Sequence, residues 1–169
     1  MPNDNFLSQV PAASALFLRE AEVRRGIEYL FFAHAALWRS IDARLAEAEL
    51  GRAHYRALYF IARQPGLTIS DLLALLGITK QSLGRVIKEL ETRAMIATRP
   101  GGRDRRAKEL RLTEEGRAIE TAIFGLLRDA MSSAYTGAGQ QAVTGFWQVS
   151  EALLPSRDRS RIAGLGSEA

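Results

Sequence analysis

The sequence contains no cysteine. Disulfide bonds, thiolate metal ligands and peroxide sensing through a sulfenic acid are therefore excluded. Histidine is nearly absent, with only His34 and His54. A zinc shell would have to be completed by carboxylates, so no metal site is expected. No apolar run reaches the ~20 residues that span a bilayer. The longest, Tyr29 to Trp38, is too short. The small apolar patch from Val10 to Leu18 has no basic segment before it and a charged stretch after it. That pattern argues against a signal peptide. A cytoplasmic protein without membrane association is the expectation. Phosphate-binding glycine loops, nucleophile elbows and paired-histidine motifs are also missing. Glu114 and Glu115 are adjacent, but on a helix their side chains diverge by about 100°. No catalytic residue and no cofactor are expected, and the chain is not read as an enzyme.

What is present is an uneven charge distribution on a chain long enough to bury a core. Residues 1–79 carry eight Lys/Arg against eight Asp/Glu. Residues 80–111 carry ten against four, and residues 112–169 carry five against seven. All the excess positive charge therefore sits in one short region. A basic run is often only a solvated surface. Concentration on a single module points instead to a polyanionic partner.

That module occupies residues 67–113. Thr68 followed by Asp71 predicts a helix start, because a hydroxyl and a carboxylate at this spacing satisfy exposed N–H groups. Leu72, Leu73 and Leu76 make its apolar stripe, and Gly77 suits a left-handed stop. Thr79 caps a second helix. Leu83, Val86, Ile87 and Leu90 recur at helical spacing on one face, and Lys80, Gln81, Arg85 and Lys88 occupy the other. Met95 to Arg99 and Lys108 to Leu112 are short strand candidates, turned by Pro100, Gly101 and Gly102. Two helices joined at a glycine, then two strands joined by a basic loop, describe a helix-turn-helix with a β-wing. The fold class expected is mainly α with a small β-wing, flanked by long dimerisation helices.

Taken in order, residues 1–12 are read as a flexible tail and 13–50 as a dimerisation helix. Its apolar positions are Val23, Ile27, Leu30, Phe31, His34, Trp38, Ile41 and Leu45. Residues 51–113 form the winged DNA-binding region, which begins with a helix over Arg52 to Arg63. Residues 114–154 form C-terminal dimerisation helices interrupted at Thr136 to Gly139. Residues 155–169, after Pro155, are read as a second flexible tail. The apolar faces around Phe31, Ile123 and Trp147 are too large to leave wet. A second copy about a two-fold axis is the economical cover. Such a dimer reads a pseudo-palindromic double-stranded DNA site.

The run DRRAKELRLTEEG at 104–116 resembles the wing and following helix cap of the multiple antibiotic resistance regulator (MarR) family. LGITKQSLGRVIKELE at 76–91 resembles that family's recognition helix. The likeness in element order extends from about Glu20 to Leu154. It implies a homodimeric winged-helix transcription regulator, usually a repressor, whose DNA affinity a small-molecule effector reduces. By the same resemblance, Asp104 would orient Arg106 into the minor groove. Two positions depart from the family pattern. Ala94 stands where a glycine usually ends the recognition helix. Gly51 to His54 replaces a Thr-x-x-Gln helix start, a weaker cap.

The candidate DNA-binding residues are Thr79, Lys80, Gln81, Ser82, Arg85 and Lys88 on the helix, and Arg103, Asp104, Arg105 and Arg106 in the wing. Lys, Arg and Gln have the donor geometry for base edges, and hydroxyls suit phosphate. His34, Trp38, His54, Tyr55 and Tyr59 are candidates for an effector pocket, although aromatic residues at helical spacing are most often core. An activator or architectural DNA-binder without a ligand, and a winged protein-binding adaptor, remain open alternatives.

Overall fold

The computed structural model describes residues 16–101 and 108–165, Leu16 by its backbone alone. The tail expected at 1–12 and the wing residues Arg103, Asp104, Arg105 and Arg106 lie outside the described residues. A short 3-10 turn at Leu16–Leu18 precedes α1 (Glu20–Glu47), α2 (Arg52–Arg63), α3 (Ile69–Leu76) and α4 (Lys80–Thr92). Strands β1 (Ile96–Pro100) and β2 (Lys108–Leu112) follow, then α5 (Glu114–Ala138), α6 (Gln140–Leu153) and α7 (Ser156–Gly164). The chain divides into two compact units, Met1–Arg39 and Ser40–Ala169.

Within the first unit, the described part is the start of α1. Most of its apolar side chains are open: Phe31 and Phe32 are about seven-tenths exposed. Two i,i+3 or i,i+4 ion pairs, Arg24–Glu20 and Arg25–Glu22, run along it. At such exposure these pairs add little.

The second unit holds the core. Ile41 and Leu45 from α1 are buried, with Tyr55, Ala57, Leu58 and Ile61 of α2, Leu72 and Leu76 of α3, and Leu83 and Leu90 of α4. β1 and β2 pair antiparallel, with Ile96 opposite Leu112 and Pro100 opposite Lys108. Leu110 of β2 is fully buried. It also exchanges backbone hydrogen bonds with the turn before α3: Gly66 N donates to Leu110 O at 3.2 Å and Leu110 N donates to Leu67 O at 2.8 Å. The wing's base is thereby sewn to the first helix of the helix-turn-helix.

Helix ends follow local chemistry. Thr68 Oγ1 accepts from Asp71 N, and Asp71 Oδ2 accepts from Thr68 N and Oγ1. This is the reciprocal cap expected from the sequence. Gly77 ends α3 at φ 63°. Ala94 does take the left-handed conformation at φ 52°, so the turn keeps its geometry without the usual glycine. Three hydrogen bonds hold it. Ala94 N donates to Glu91 O, Met95 N donates to Leu90 O, and Thr113 Oγ1 donates to Ala94 O at 2.6 Å.

Three expectations need correction. Residues 156–164 of the expected C-terminal tail are not unstructured, since α7 runs through them. Asp158 lies in the first turn of α7 and pairs with Arg161 at 2.8 Å. Arg161 also donates to Ala74 O of α3, and Arg63 of α2 donates to Leu165 O. These tertiary contacts order a segment that its polar composition did not. Ile123 is not on an open face, because it is fully buried in the core of its own unit. The break between the last long helices is also narrower than expected: α5 continues to Ala138 and only Gly139, at φ 82°, interrupts.

Candidate nucleic-acid interface

Recognition by a helix requires that one face be buried and the opposite face be polar, rigid and uncommitted. On α4, Leu83, Val86, Ile87 and Leu90 are buried. Gln81, Arg85 and Lys88 fall on the opposite side at 3.6 residues per turn, and all three are exposed. Lys80 is exposed at the edge of that face. Thr79 Oγ1 caps the helix by accepting from Ser82 N at 3.1 Å, and donates to Ser82 Oγ at 2.9 Å. The two hydroxyls expected to meet phosphate are thus joined to each other. Only Ser82 retains a hydroxyl proton to offer.

The charges on α4 are sorted. Among the described residues, Lys80, Gln81, Arg85 and Lys88 have no side-chain partner. Both acidic residues do. Glu89 meets His54 Nε2 at 2.7 Å, and Glu91 accepts from Thr98 Oγ1 of β1 at 3.1 Å. The carboxylates that would repel a phosphate backbone are drawn to the protein, and the cations are left to solvent.

The neighbouring elements fix the pose of α4. Arg56 of α2 donates to Leu76 O at the end of α3. Arg93, at the C-cap of α4, donates to Ala48 O at 2.9 Å and lies 3.5 Å from Glu49. Gly116 on α5 sits where an added Cβ would overlap the Met95 carbonyl oxygen. Close approach of α5 to the turn between α4 and β1 therefore needs glycine at this position.

Of the five effector candidates, two lie in the first unit and three in the second. His34 and Trp38 are on α1 in the first unit. Trp38 Nε1 donates to His34 Nε2 at 2.9 Å, and the rings meet edge to face. In the second unit, Tyr55 is buried at 2% exposure. Its ring and that of Phe124 flank Tyr59, each with centroids 6.2 Å from it. Burial raises the Tyr55 hydroxyl above its ordinary range, with smaller contributions from Glu120 and Tyr59. Burial likewise raises the Glu120 carboxyl. His54 is apart from this cluster, occupied by Gly51 N and Glu89. The sequence showed His54 three residues after Gly51, but not its partner 35 positions away.

Comparison with known proteins agrees with this geometry. The family model described as "MarR family" matches residues 49–107. The HTH-type transcriptional regulator PetP of Rhodobacter capsulatus is 45% identical over 139 residues, which cover 82% of this chain and 84% of PetP. The chain belongs to the MarR family. It is a DNA-binding transcription regulator with a winged-helix fold. Solved structures agree on the fold. A point mutant of S. aureus MepR bound to an oligodeoxyribonucleotide superposes with TM-score 0.53 at 21% identity, covering 76% of this chain and 98% of that one. BpsR of Bordetella bronchiseptica, whose DNA binding is regulated by 6-hydroxynicotinic acid, gives 0.60 at 19% identity, covering 76% and 98%. No described helix of this MarR-family chain is long and apolar enough to cross a membrane.

Proposed function

We propose that the chain is the protomer of a cytoplasmic homodimer that represses transcription from a pseudo-palindromic operator and is released by a small-molecule effector. The observation that carries the DNA-reading part is the sorted charge on α4: free Lys80, Gln81, Arg85 and Lys88, and committed Glu89 and Glu91. Gln81 and Arg85 reach base edges, Lys80 and Lys88 meet phosphates, and the hydroxyl proton of Ser82 adds a phosphate contact beside the cap of Thr79. Asp104 orients Arg106 into the adjacent minor groove, and Arg103 and Arg105 are further wing contacts to the DNA.

Dimerisation is supported by α6, which has no buried residue although it carries Phe146, Trp147, Val149 and Leu153. Exposed Phe31 and Phe32 on α1 add to the apolar surface. The regions 13–50 and 114–154 are accordingly read as dimerisation helices around the reader at 51–113. Release by a ligand draws support from BpsR, with Tyr59 and the raised Glu120 carboxyl as the polar-aromatic cluster in the second unit. His34 and Trp38 are a second aromatic pair to test.

The experiment is selection from a randomised duplex library at two salt concentrations, with a thermal-shift ligand screen on the free protein. Arg106→Ala should weaken binding to all sequences and lower the slope of log affinity against log salt by about one unit. Absence of any salt-dependent binding to duplex would favour an adaptor.

A further inference from the structure

His54 has two ring nitrogens and two different tasks. Its Nδ1 accepts from Gly51 N at 3.0 Å, at the first turn of α2. A backbone N–H can only donate, so Nδ1 carries the lone pair and Nε2 carries the proton. That proton faces Glu89 Oε2 of α4 at 2.7 Å. The cap thus selects the tautomer that reaches the recognition helix. Behind it, Arg52 of α2 makes two hydrogen bonds to Asp42 of α1, at 2.9 and 2.7 Å. Arg93, at the C-cap one turn beyond Glu89, ties the same end of α4 to Ala48 O in the α1–α2 elbow. Glu49 in that elbow is held left-handed at φ 51°.

We propose that His54 is a positioning residue for sequence readout: through Glu89 it fixes the rotation of α4 about its own axis, and with Arg93 it clamps the recognition helix to the elbow between α1 and α2. On α4, Glu89 lies about 40° around the helix from Arg85. A small rotation that frees Glu89 therefore re-aims Arg85 against base edges. Base readout depends on such aim, whereas phosphate attraction does not. The inference rests on α4 being the reading helix.

The test compares the ratio of affinity for a selected operator to affinity for random duplex, at one salt concentration. A change in net charge largely cancels in that ratio. His54→Gln keeps an acceptor for Gly51 N and a donor for Glu89, and should leave the ratio unchanged. His54→Glu keeps the cap but sets a carboxylate against Glu89. It should lower the ratio about ten-fold, the low end for a lost hydrogen bond to a charged group, with little loss of melting temperature. Adding Glu89→Gln to His54→Glu restores a donor and should return the ratio towards wild type. Glu89→Ser, an exposed change that leaves His54 and its cap in place, should lower the ratio by a similar factor, and decides the question if His54→Glu does not fold. An unchanged ratio in both His54→Glu and Glu89→Ser would overturn the proposal, as would failure of the double variant to recover. Arg85→Ala is the control. If it lowers the ratio and the His54 and Glu89 variants do not, the clamp alone is wrong. If it too changes nothing, α4 is not the reader and both readings fall.

Discussion

Helices α2 and α6 are of similar length and comparably apolar, yet they end in opposite states. The 12 residues of α2 bury Tyr55, Ala57, Leu58 and Ile61. The 14 residues of α6 bury none. α2 packs against α3, α4, α5 and β2, which complete its surroundings within one chain. α6 packs against α5, and Trp147 Nε1 donates to Tyr135 Oη there, but Trp147 remains more than half exposed. One region is finished by its own sequence. The other carries apolar surface that folding of a single chain leaves uncovered, which is why an assembly partner enters the functional reading.

The sharpest way to break this contrast is to truncate one leucine on each helix. Leu58→Ala should cost about 2–5 kcal/mol in chemical denaturation, as for a filled core site. Leu153→Ala should leave the protomer's intrinsic stability within ~0.5 kcal/mol and act on association instead. Sedimentation equilibrium checks the second half, and equal losses for both would erase the contrast. Gly116→Ala should come next, costing about 1–3 kcal/mol, because the new methyl meets the Met95 carbonyl, not a yielding side chain. A melt indistinguishable from wild type would show that α5 stands off further than described.

Ala94→Gly runs the other way. It removes the Cβ strain at φ 52° and should stabilise by roughly 1 kcal/mol in a urea titration. The smallest effect belongs to Glu120. Burial raises its carboxyl above the ordinary 4.5, so the folded state holds the proton more tightly than the unfolded chain. Its contribution is complete below the ordinary value and is lost as pH rises through the raised one. Glu120→Gln should therefore flatten the decline in stability across that window, read as melting temperature against pH.

The sequence made the helix-turn-helix legible because its signals are local. Thr68 with Asp71, Gly77, Thr79 and the stripe Leu83, Val86, Ile87, Leu90 each act within one or two turns. Ala94 was correctly singled out as an unusual helix end. What was hidden depends on distance along the chain. His54 and Glu89 share no periodicity, and α7 is ordered by Arg63 and Arg161 reaching backbone carbonyls of other elements. Ile123 looked like one more position on an amphipathic face, and only packing shows that its own unit already covers it.

The most direct test of the central claim, that α4 reads sequence, is selection from a randomised duplex library by wild type and by Arg85→Ala at two salt concentrations. The account predicts a wild-type pseudo-palindrome with half-sites about 10 base pairs apart. Arg85→Ala should relax one or two positions per half-site by ~1–3 kcal/mol. The same motif selected with undiminished preference by Arg85→Ala would contradict it.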